Sequence, residues 1–205
     1  MDIVLNTRFS NSSLPIAPVP GFFDNFGPAG GPPSVSSLGA TSRESRPWDY
    51  NVDPWSRTAD QTAMPPGGLR RVAFANGYSA NGTLKTTIHE PGSDGQYGLT
   101  FRYIDPDNFN YFAFNATLGY FFVMVMVAGE RTTIGGVYKP PTAPVTGDSM
   151  KVAMQGANIY CYYNETLVLT VVSTANDYAT RHGLFDHSPG DQDRTQFSEI
   201  EFASN

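Results

Sequence analysis

Two glutamates, Glu199 and Glu201, form a closely spaced carboxylate pair within a strand-like segment. Alternate residues of a strand point to the same face, so the spacing in "EIE" brings both carboxylates to one side. Glycosidases use such a pair for acid and nucleophile or base roles. Ile200 and Phe202 take the opposite face, which predicts a packed core beneath them. No third acid or histidine is near in sequence to separate the two pKa values, so we expect no enzymatic activity.

Histidine and cysteine offer little for metal binding or nucleophilic catalysis. His89, His182 and His187 are scattered and show no H-x-x-x-H spacing, and Cys161 has no second cysteine beside it. Zinc sites need several such ligands at short spacing. Cys161 lies in "NIYCYYN", a strand-like run, which predicts a small buried side chain. A single cysteine also excludes an internal disulfide.

Calcium prefers oxygen ligands, which acidic loops supply. Two loops qualify by composition, and their residues are Asp105, Asp107 and Asn108 in one and Asp186, Asp191 and Asp193 in the other. Neither loop has the regular alternating spacing of a dedicated site. We therefore predict no metal and no cofactor, with Ca²⁺ left as an open alternative.

Aromatic residues beside Asn, Asp or Arg suit carbohydrate, because a ring presents an apolar face and its neighbours supply hydrogen bonds. The stretch "RPWDYNVDPW" contains Trp48, Tyr50 and Trp55, and its prolines favour a loop or an edge strand. Arg102 alternates with two aromatic neighbours, which predicts an outer-face position within reach of a carboxylate or a glycan. These four residues are the candidate glycan site. Capping of the core and contact with a partner are the alternatives for the rings.

The stretch "YIDPDNFNYFAFN" is typical of a hairpin. Asp-Pro-Asp-Asn has strong turn chemistry, because proline fixes φ and Asp and Asn bond back to their own backbone. The strands on either side are rich in rings, and cross-strand pairs of rings stabilise a sheet. We expect Phe101, Tyr103, Phe112 and Phe114 to serve packing.

Composition excludes some classes of partner. The chain has 205 residues and a net charge of -6, and only 16% of its residues are charged, against roughly 25% in soluble domains. Phosphate binding needs clustered Lys and Arg, and no cluster exists, so we predict no nucleic acid. No apolar run reaches the roughly 18 to 20 residues of a membrane helix, and no signal peptide is visible. The low charge favours lasting contact with other proteins, as a homo-oligomer or in many copies.

Residues 1–23 differ from the rest in being apolar and rich in proline. Proline at this density forbids a helix and favours an extended backbone. We predict an attachment arm that docks on another chain, with a fold onto its own domain as the alternative. The predicted anchoring residues are Ile3, Leu5, Phe9, Leu14, Ile16, Val19, Phe22 and Phe23.

The sequence pattern of residues 24–205 predicts a β-domain. From about residue 71 onward, β-branched or aromatic runs are separated by Gly, Pro, Asn or Asp, and no window shows a helical period. Turns recur every 8 to 12 residues or so, which is typical of an antiparallel sandwich or barrel.

The order of these runs resembles the concanavalin A-like, laminin-G-type jelly roll. The resemblance spans roughly residues 22–202 and includes "YGLTFRYID", "PDN", "FNYFAFN" and "GDSMKVAMQGANIYCYYNETLVLTVV". It implies an all-β, antiparallel two-sheet jelly-roll sandwich, here preceded by the extended arm.

The segment before the jelly roll looks like the opening of laminin-G-like modules in minor tail proteins of tailed actinobacterial phages. Asp24, Phe26, Trp48, Trp55 and "GTLKTTI" carry this resemblance. It implies a structural virion protein in a phage tail, in contact with other virion proteins and with a host-surface glycan. A capsid decoration protein and a free carbohydrate-binding or glycan-processing domain remain the alternatives, and the sequence does not separate tail from capsid.

Overall fold

The structure, a computed structural model, describes residues 21–26, 38, 40–42, 44–58, 60, 62–66, 68–189 and 194–205. All regular structure in these residues is β, as predicted. The strands are Phe22–Asp24 (β1), Asp49–Tyr50 (β2), Ser56–Arg57 (β3), Ala63–Met64 (β4), Gly68–Asn76 (β5), Gly82–Glu90 (β6), Gln96–Asp105 (β7), Asn108–Asn115 (β8), Tyr120–Val127 (β9), Glu130–Tyr138 (β10), Ser149–Gln155 (β11), Asn158–Tyr163 (β12), Thr166–Val172 (β13), Arg181–Ser188 (β14) and Gln196–Ser204 (β15).

The strands form two antiparallel sheets. One has eight strands in the order β13-β12-β11-β6-β15-β4-β3, with β1 also paired to β15. The other has seven strands in the order β10-β9-β8-β7-β14-β5-β2. The two sheets pack face to face, which confirms the predicted sandwich.

The last two strands in the sequence hold interior positions of the sheets. β14 lies between β5 and β7 in the seven-stranded sheet. β15 lies beside β6 in the eight-stranded sheet and also pairs with β1 and β4. Each sheet therefore depends on residues 181–204 for its continuity.

The inner core fills the space between the sheets. Both sheets contribute buried side chains to it, among them Leu84, Leu99, Phe112 and Ile200. Cys161 is part of this core, and burial raises the pKa of its thiol far above the usual range. This placement confirms the prediction of a small buried side chain.

The predicted hairpin is present as β7 and β8, and all four rings assigned to packing are buried. The alternation fails, however, in the second half of β7. A register shift between Phe101 and Asp105 and a positive φ of 53° at Arg102 turn the backbone. Phe101 therefore joins the inner core while Tyr103 packs on the opposite face of the sheet. The sequence pattern had placed these two rings on one face, which is wrong.

Phe22 and Phe23 belong to the sandwich, not to an attachment arm. They form β1, where Phe22 pairs with Phe202 and Phe23 pairs with Glu201. Phe22 is fully buried in the inner core. The ordered sandwich therefore includes residues before Asp24, because a strand already pairs with β15 at Phe22. The other six predicted anchoring residues lie outside the described part of the chain.

No helix with the length and apolar character needed to cross a bilayer occurs among the described residues.

Candidate functional site

The two tryptophans of the predicted glycan site are core residues. Trp48 is 4% exposed, and its Nε1 donates a hydrogen bond to Asp24 Oδ2 at 2.8 Å. Trp55 is 0% exposed and stacks on Phe197 with ring centroids 6.2 Å apart. Neither ring presents a face to a sugar. The prolines lie beside an edge strand and a loop, as predicted, since β2 is the last strand of its sheet and Val52, Asp53 and Pro54 after it are exposed.

Tyr50 and Arg102 do not complete an exposed platform either. Tyr50 is half-buried against the inner core, and its hydroxyl accepts a hydrogen bond from Leu38 N–H at 2.9 Å. Arg102 is 0% exposed and points into the fold because of its positive φ. Its guanidinium donates to Ala80 O at 3.2 Å and Gly156 O at 2.5 Å. The predicted glycan site therefore does not form.

The first acidic loop proposed for calcium forms a turn, whereas Asp186 of the second is buried in strand β14. Asp105 Oδ1 accepts a hydrogen bond from Asp107 N–H at 2.8 Å and from Asn108 Nδ2 at 2.9 Å. Within the described residues, no group of three or more His, Cys, Asp or Glu side chains is arranged to hold a metal. Asp191 and Asp193 lie outside the described part of the chain.

The carboxylate pair lies on the outer face of the eight-stranded sheet. Ile200 and Phe202 are fully buried in the inner core, as predicted. Glu199 Oε1 accepts a hydrogen bond from Thr87 Oγ1 at 2.9 Å, and Glu201 lies opposite Lys85. Both carboxylates therefore sit among strand side chains of the outer face.

The seven-stranded sheet carries a second packed layer on its outer face, which we call the outer aromatic cluster. Its members alternate along five strands with residues of the inner core, and they are Val72, Phe74, Tyr103, Phe109, Tyr111, Ala113, Phe122, Met126 and Phe185. Phe185 and Tyr111 are stacked with centroids 4.1 Å apart. Phe74 and Tyr103 are stacked at 4.2 Å, and the Arg181 guanidinium lies over both rings. The outer aromatic cluster therefore forms a packed layer on the outer face of this sheet.

At one end of this face, four side chains form a row across adjacent strands, which we call the polar row. His187 on β14 pairs with Gln96 on β7, Gln96 pairs with Asn115 on β8, and Asn115 pairs with Tyr120 on β9. Directly paired residues share a face of the sheet. His187 follows Phe185 by two residues, so the row lies on the same face as the outer aromatic cluster.

A cavity of about 350 Å³ opens beside the polar row. Its lining residues are Gly95, Gln96, Asn115, Thr117, Leu118, His187 and Pro189. Two atoms of the lining residues, Gln96 Oε1 and His187 Nδ1, are buried and make no hydrogen bond with the described residues. Buried polar atoms are usually paired, so these two atoms are suited to a ligand that brings its own donors and acceptors.

Two turns hold the cavity wall in place. Asp94 Oδ1 accepts hydrogen bonds from Gly95 N–H at 2.7 Å and from Thr117 Oγ1 at 2.5 Å. These bonds lower the pKa of Asp94, so its carboxylate is ionised near neutral pH. Asn115 Oδ1 accepts a hydrogen bond from Leu118 N–H at 2.9 Å. The Asn115 side chain thus uses its oxygen to shape the turn and leaves its amide N–H groups for the cavity.

His187 is a neutral imidazole near pH 7. Burial lowers its pKa, and the charges of Arg131 and Arg70 lower it further. A neutral imidazole has one donor and one acceptor nitrogen. Each of these nitrogens can form a hydrogen bond with a hydroxyl group, which both donates and accepts. In the sequence His187 is one of three scattered histidines, and only the strand register reveals its neighbours.

Asp186 is a buried carboxyl group one residue before His187. Its Oδ1 accepts a hydrogen bond from Ser188 N–H at 3.0 Å, and its Oδ2 accepts one from Ser188 Oγ at 3.1 Å. Burial raises its pKa to about 7 despite these bonds. The carboxyl group thereby holds Ser188, the residue before Pro189 of the cavity.

Asp186 makes a specific contribution to the pH dependence of stability. The unfolded carboxyl group has a pKa of about 3.9, so between that value and about 7 the folded state binds a proton that the unfolded state has lost. Stability from this group therefore falls as pH rises through that window. We expect the free energy of unfolding of the wild type, measured relative to Asp186→Asn, to fall by about 2 to 3 kcal/mol between about pH 5 and pH 8.

The comparison with the variant is necessary because His182 acts in the opposite direction. Burial lowers the pKa of His182 to about 4, so its contribution is lost as pH falls below its ordinary pKa of about 6.5. Urea unfolding followed by tryptophan fluorescence gives both pH profiles. Asp94→Asn is the control, since its lowered pKa keeps it ionised throughout this range. Parallel profiles for the wild type and Asp186→Asn would contradict the assignment.

Structures of known proteins share this fold. The carbohydrate-binding module CBM66 from Bacillus subtilis matches with a TM-score of 0.55 and 15% identity over 77% of this chain and 92% of that module. A variant of the GH43 protein BlXynB from Bacillus licheniformis matches with a TM-score of 0.63 and 14% identity over 89% of this chain, which spans 39% of that protein's length. A β-glucanase from Bacillus licheniformis matches with a TM-score of 0.59 and 10% identity over 91% of this chain and 99% of the enzyme.

No protein-family model matches the sequence. No curated protein sequence matches it either. At these identities the structural likeness establishes the fold alone, and it confirms a concanavalin A-like sandwich. The three neighbours named above are a binding module and glycan-active proteins, and none is described as a virion protein. The phage-tail role therefore stays a prediction.

Proposed function

We propose that this chain is a carbohydrate-binding domain and that the cavity beside the polar row is its ligand site. The observation that carries the proposal is that two residues lining this cavity, Gln96 and His187, each hold a buried polar atom without a hydrogen-bond partner. An unpaired buried polar group costs about 1 to 3 kcal/mol. A ligand with several hydroxyl groups removes this cost because each hydroxyl both donates and accepts.

The rest of the cavity suits a small saccharide. Asn115 adds amide donors next to Gln96, and Leu118 and Pro189 supply apolar walls. Half-buried Tyr120 ends the row with a ring that packs edge-on against Phe122. The volume of about 350 Å³ lies within the usual range for ligand cavities, roughly 300 to 1,000 Å³. Apolar walls with a few convergent polar groups are what sugar rings require.

The fold neighbours support the class of ligand. CBM66 is described as a carbohydrate-binding module and shares the sandwich along most of its length. The likeness alone is general, because one fold hosts many functions. The proposal therefore depends on the chemistry of the cavity, and the neighbours make a glycan the first ligand to test.

We include no hydrolytic activity in the proposal. Hydrolysis of a glycan needs two carboxylates on either side of the scissile bond. The middle of the outer face carries the rings of Tyr111, Phe122 and Phe185. Glu199 and Glu201 lie on strand β15 of the other sheet, away from the cavity.

The double variant Gln96→Ala/Asn115→Ala tests the site. We expect it to lower the affinity for a bound oligosaccharide by about tenfold or more, because the ligand hydroxyls lose two amide partners. The measurement is isothermal titration with oligosaccharides from neutral and acidic polysaccharides, after a first screen by affinity electrophoresis. The melting temperature of each variant shows whether the fold is retained.

Gln155→Ala/Asn158→Ala is the matched control. These residues form the same kind of cross-strand amide pair, exposed on the eight-stranded sheet. Equal loss of affinity in both double variants, or unchanged affinity in Gln96→Ala/Asn115→Ala, would remove the cavity as the binding site. The absence of binding to any polysaccharide would reject the proposed function itself.

A further inference from the structure

Two arginine side chains converge on the outer aromatic cluster. Arg70 Nη1 on β5 lies 4.0 Å from Met126 Sδ on β9. Arg131 on β10 is the cross-strand partner of Met126, and it lies near enough to Tyr111 to lower the pKa of that hydroxyl. Both arginines therefore lie beside Met126 of the outer aromatic cluster, although their strands are far apart in sequence.

The backbone at Arg70 is held in a conformation that directs this side chain. Arg70 has a positive φ of 53°, which costs energy in a residue with a side chain. Asn51 fixes it there, since its Nδ2 donates to Arg70 O at 2.6 Å and its Oδ1 accepts from Val72 N–H at 2.8 Å. A small cavity of about 150 Å³ lies between Arg70 and Phe109.

Neither guanidinium has a carboxylate partner in the described part of the chain. The ion pairs observed there lie elsewhere, among them Arg57–Asp24, Arg71–Asp53, Lys85–Glu165 and Lys151–Glu165. Of the acids in the adjoining turns, Asp105 is held by Asp107 N–H and Asn108, and Glu130 is exposed. Two cations thus lie together on the outer face of a chain whose net charge is -6.

Their influence extends to the proposed ligand site. Burial raises the pKa of Tyr111, while Arg131 and Arg70 oppose that rise. The same two arginines help to keep His187 of the polar row neutral. The charges of Arg70 and Arg131 therefore act both on Tyr111 of the outer aromatic cluster and on His187 of the polar row.

We propose that the glycan bound at this face is anionic and that Arg70 and Arg131 bind its acidic groups. The inference rests on the proposed function. Guanidinium groups pair with carboxylate and sulfate oxygens through two parallel N–H donors. Arg70 and Arg131 are both exposed, so only water solvates their charges when the bound sugar is neutral. A carboxylate or sulfate group on the saccharide supplies the counter-charge that the protein does not.

The test uses the full chain and three probes in isothermal titration: oligogalacturonate for carboxylates, sulfated dextran oligomers for sulfates, and laminarin oligomers as the neutral glycan. We expect acidic oligomers to bind more tightly than laminarin oligomers, with an affinity that falls as salt increases. Arg70→Gln and Arg131→Gln should each lower the affinity for the acidic probe by about tenfold. Lys139→Gln, an exposed change of charge outside this face, is the control and should bind as the wild type does.

The outcomes separate the two proposals. One outcome is equal binding of acidic and neutral oligomers, with binding lost in Gln96→Ala/Asn115→Ala but kept in both arginine variants. This result would overturn the present inference and leave the proposed function standing. No binding of any glycan would reject the proposed function and this inference together. Binding of inorganic sulfate as tightly as of the sulfated oligomer would identify a site for free anions and overturn the glycan assignment. The ratio between the two acidic probes decides between carboxylate and sulfate.

Discussion

Replacement of Arg102 by methionine is expected to lower the free energy of unfolding by about 3 to 5 kcal/mol. The guanidinium of Arg102 donates to Ala80 O, Asn81 Oδ1 and Gly156 O, and so ties the β5–β6 connection to the β11–β12 turn. Methionine retains the buried stem and removes every donor. Ala80 O and Gly156 O then each lose a partner in a site where the arginine is 0% exposed, whereas Asn81 Oδ1 keeps the hydrogen bond from Gly156 N–H. An oxygen that loses its partner in a buried site costs about 1 to 3 kcal/mol.

Urea unfolding followed by tryptophan fluorescence measures this change. Trp48 and Trp55 are both buried, so their emission reports the loss of the sandwich. Lys139→Met, an exposed loss of the same charge, is the control and should change stability by about 0.5 kcal/mol or less. A loss below about 1 kcal/mol in Arg102→Met would mean that water replaces the guanidinium at these oxygens.

Asp24→Ala is the second change with a large expected effect. Asp24 is fully buried, and it accepts hydrogen bonds from Phe26 N–H and Trp48 Nε1, both at 2.8 Å. Arg57 Nη2 lies 3.9 Å from the same carboxylate. Removing one partner of a buried ion pair typically costs about 3 to 5 kcal/mol. We expect a loss of that size in the free energy of unfolding.

The variant Asp24→Asn separates the effect of side-chain shape on stability from the effect of charge. Burial raises the pKa of Asp24, so we expect the neutral amide to cost much less than alanine does. Asp53→Ala provides a matched comparison, because Asp53 pairs with Arg71 at 3.4 Å but is 62% exposed. Exposed pairs contribute about 0 to 1 kcal/mol. Similar losses in Asp24→Ala and Asp53→Ala would show that the buried hydrogen bonds add nothing.

The longer strands of the sandwich were predictable from the sequence. The run "GTLKTTIHE" coincides with β6, Gly82–Glu90, because its buried and half-buried positions alternate from Gly82 to His89. The turn at Asp-Pro-Asp-Asn likewise predicted the β7–β8 hairpin. In both cases the signal is local, since period-two alternation and turn chemistry depend only on neighbouring residues.

The burial of the tryptophans was not predictable in the same way. β2, β3 and β4 have two residues each, which is too short for any periodicity. Trp48 is buried because the side chain of Asp24, on the first strand, reaches its indole nitrogen. Contacts of this kind join distant segments, and only the completed fold reveals them.

The candidate site likewise consists of residues from distant segments that only the completed fold brings together. Gln96, Asn115 and His187 are ordinary residues in sequence, and no spacing links them. They become neighbours through the registers of β14 with β7 and of β7 with β8. Similarly, the bulge at Arg102 reverses the face that simple alternation assigns to Tyr103. Register and bulges are set by pairing across the sheet, which a single strand does not encode.

The interior positions of β14 and β15 have a consequence for how the chain folds during synthesis. A nascent chain that has emerged only as far as residue 180 has β5 and β7 but lacks the strand that lies between them. It also lacks the partner that β1 and β6 share. We therefore expect neither sheet to close on the ribosome until residues 181–204 have left the exit tunnel. Such long-range pairing makes folding slow, on the order of milliseconds to seconds, and leaves unpaired strand edges open to chaperones until then.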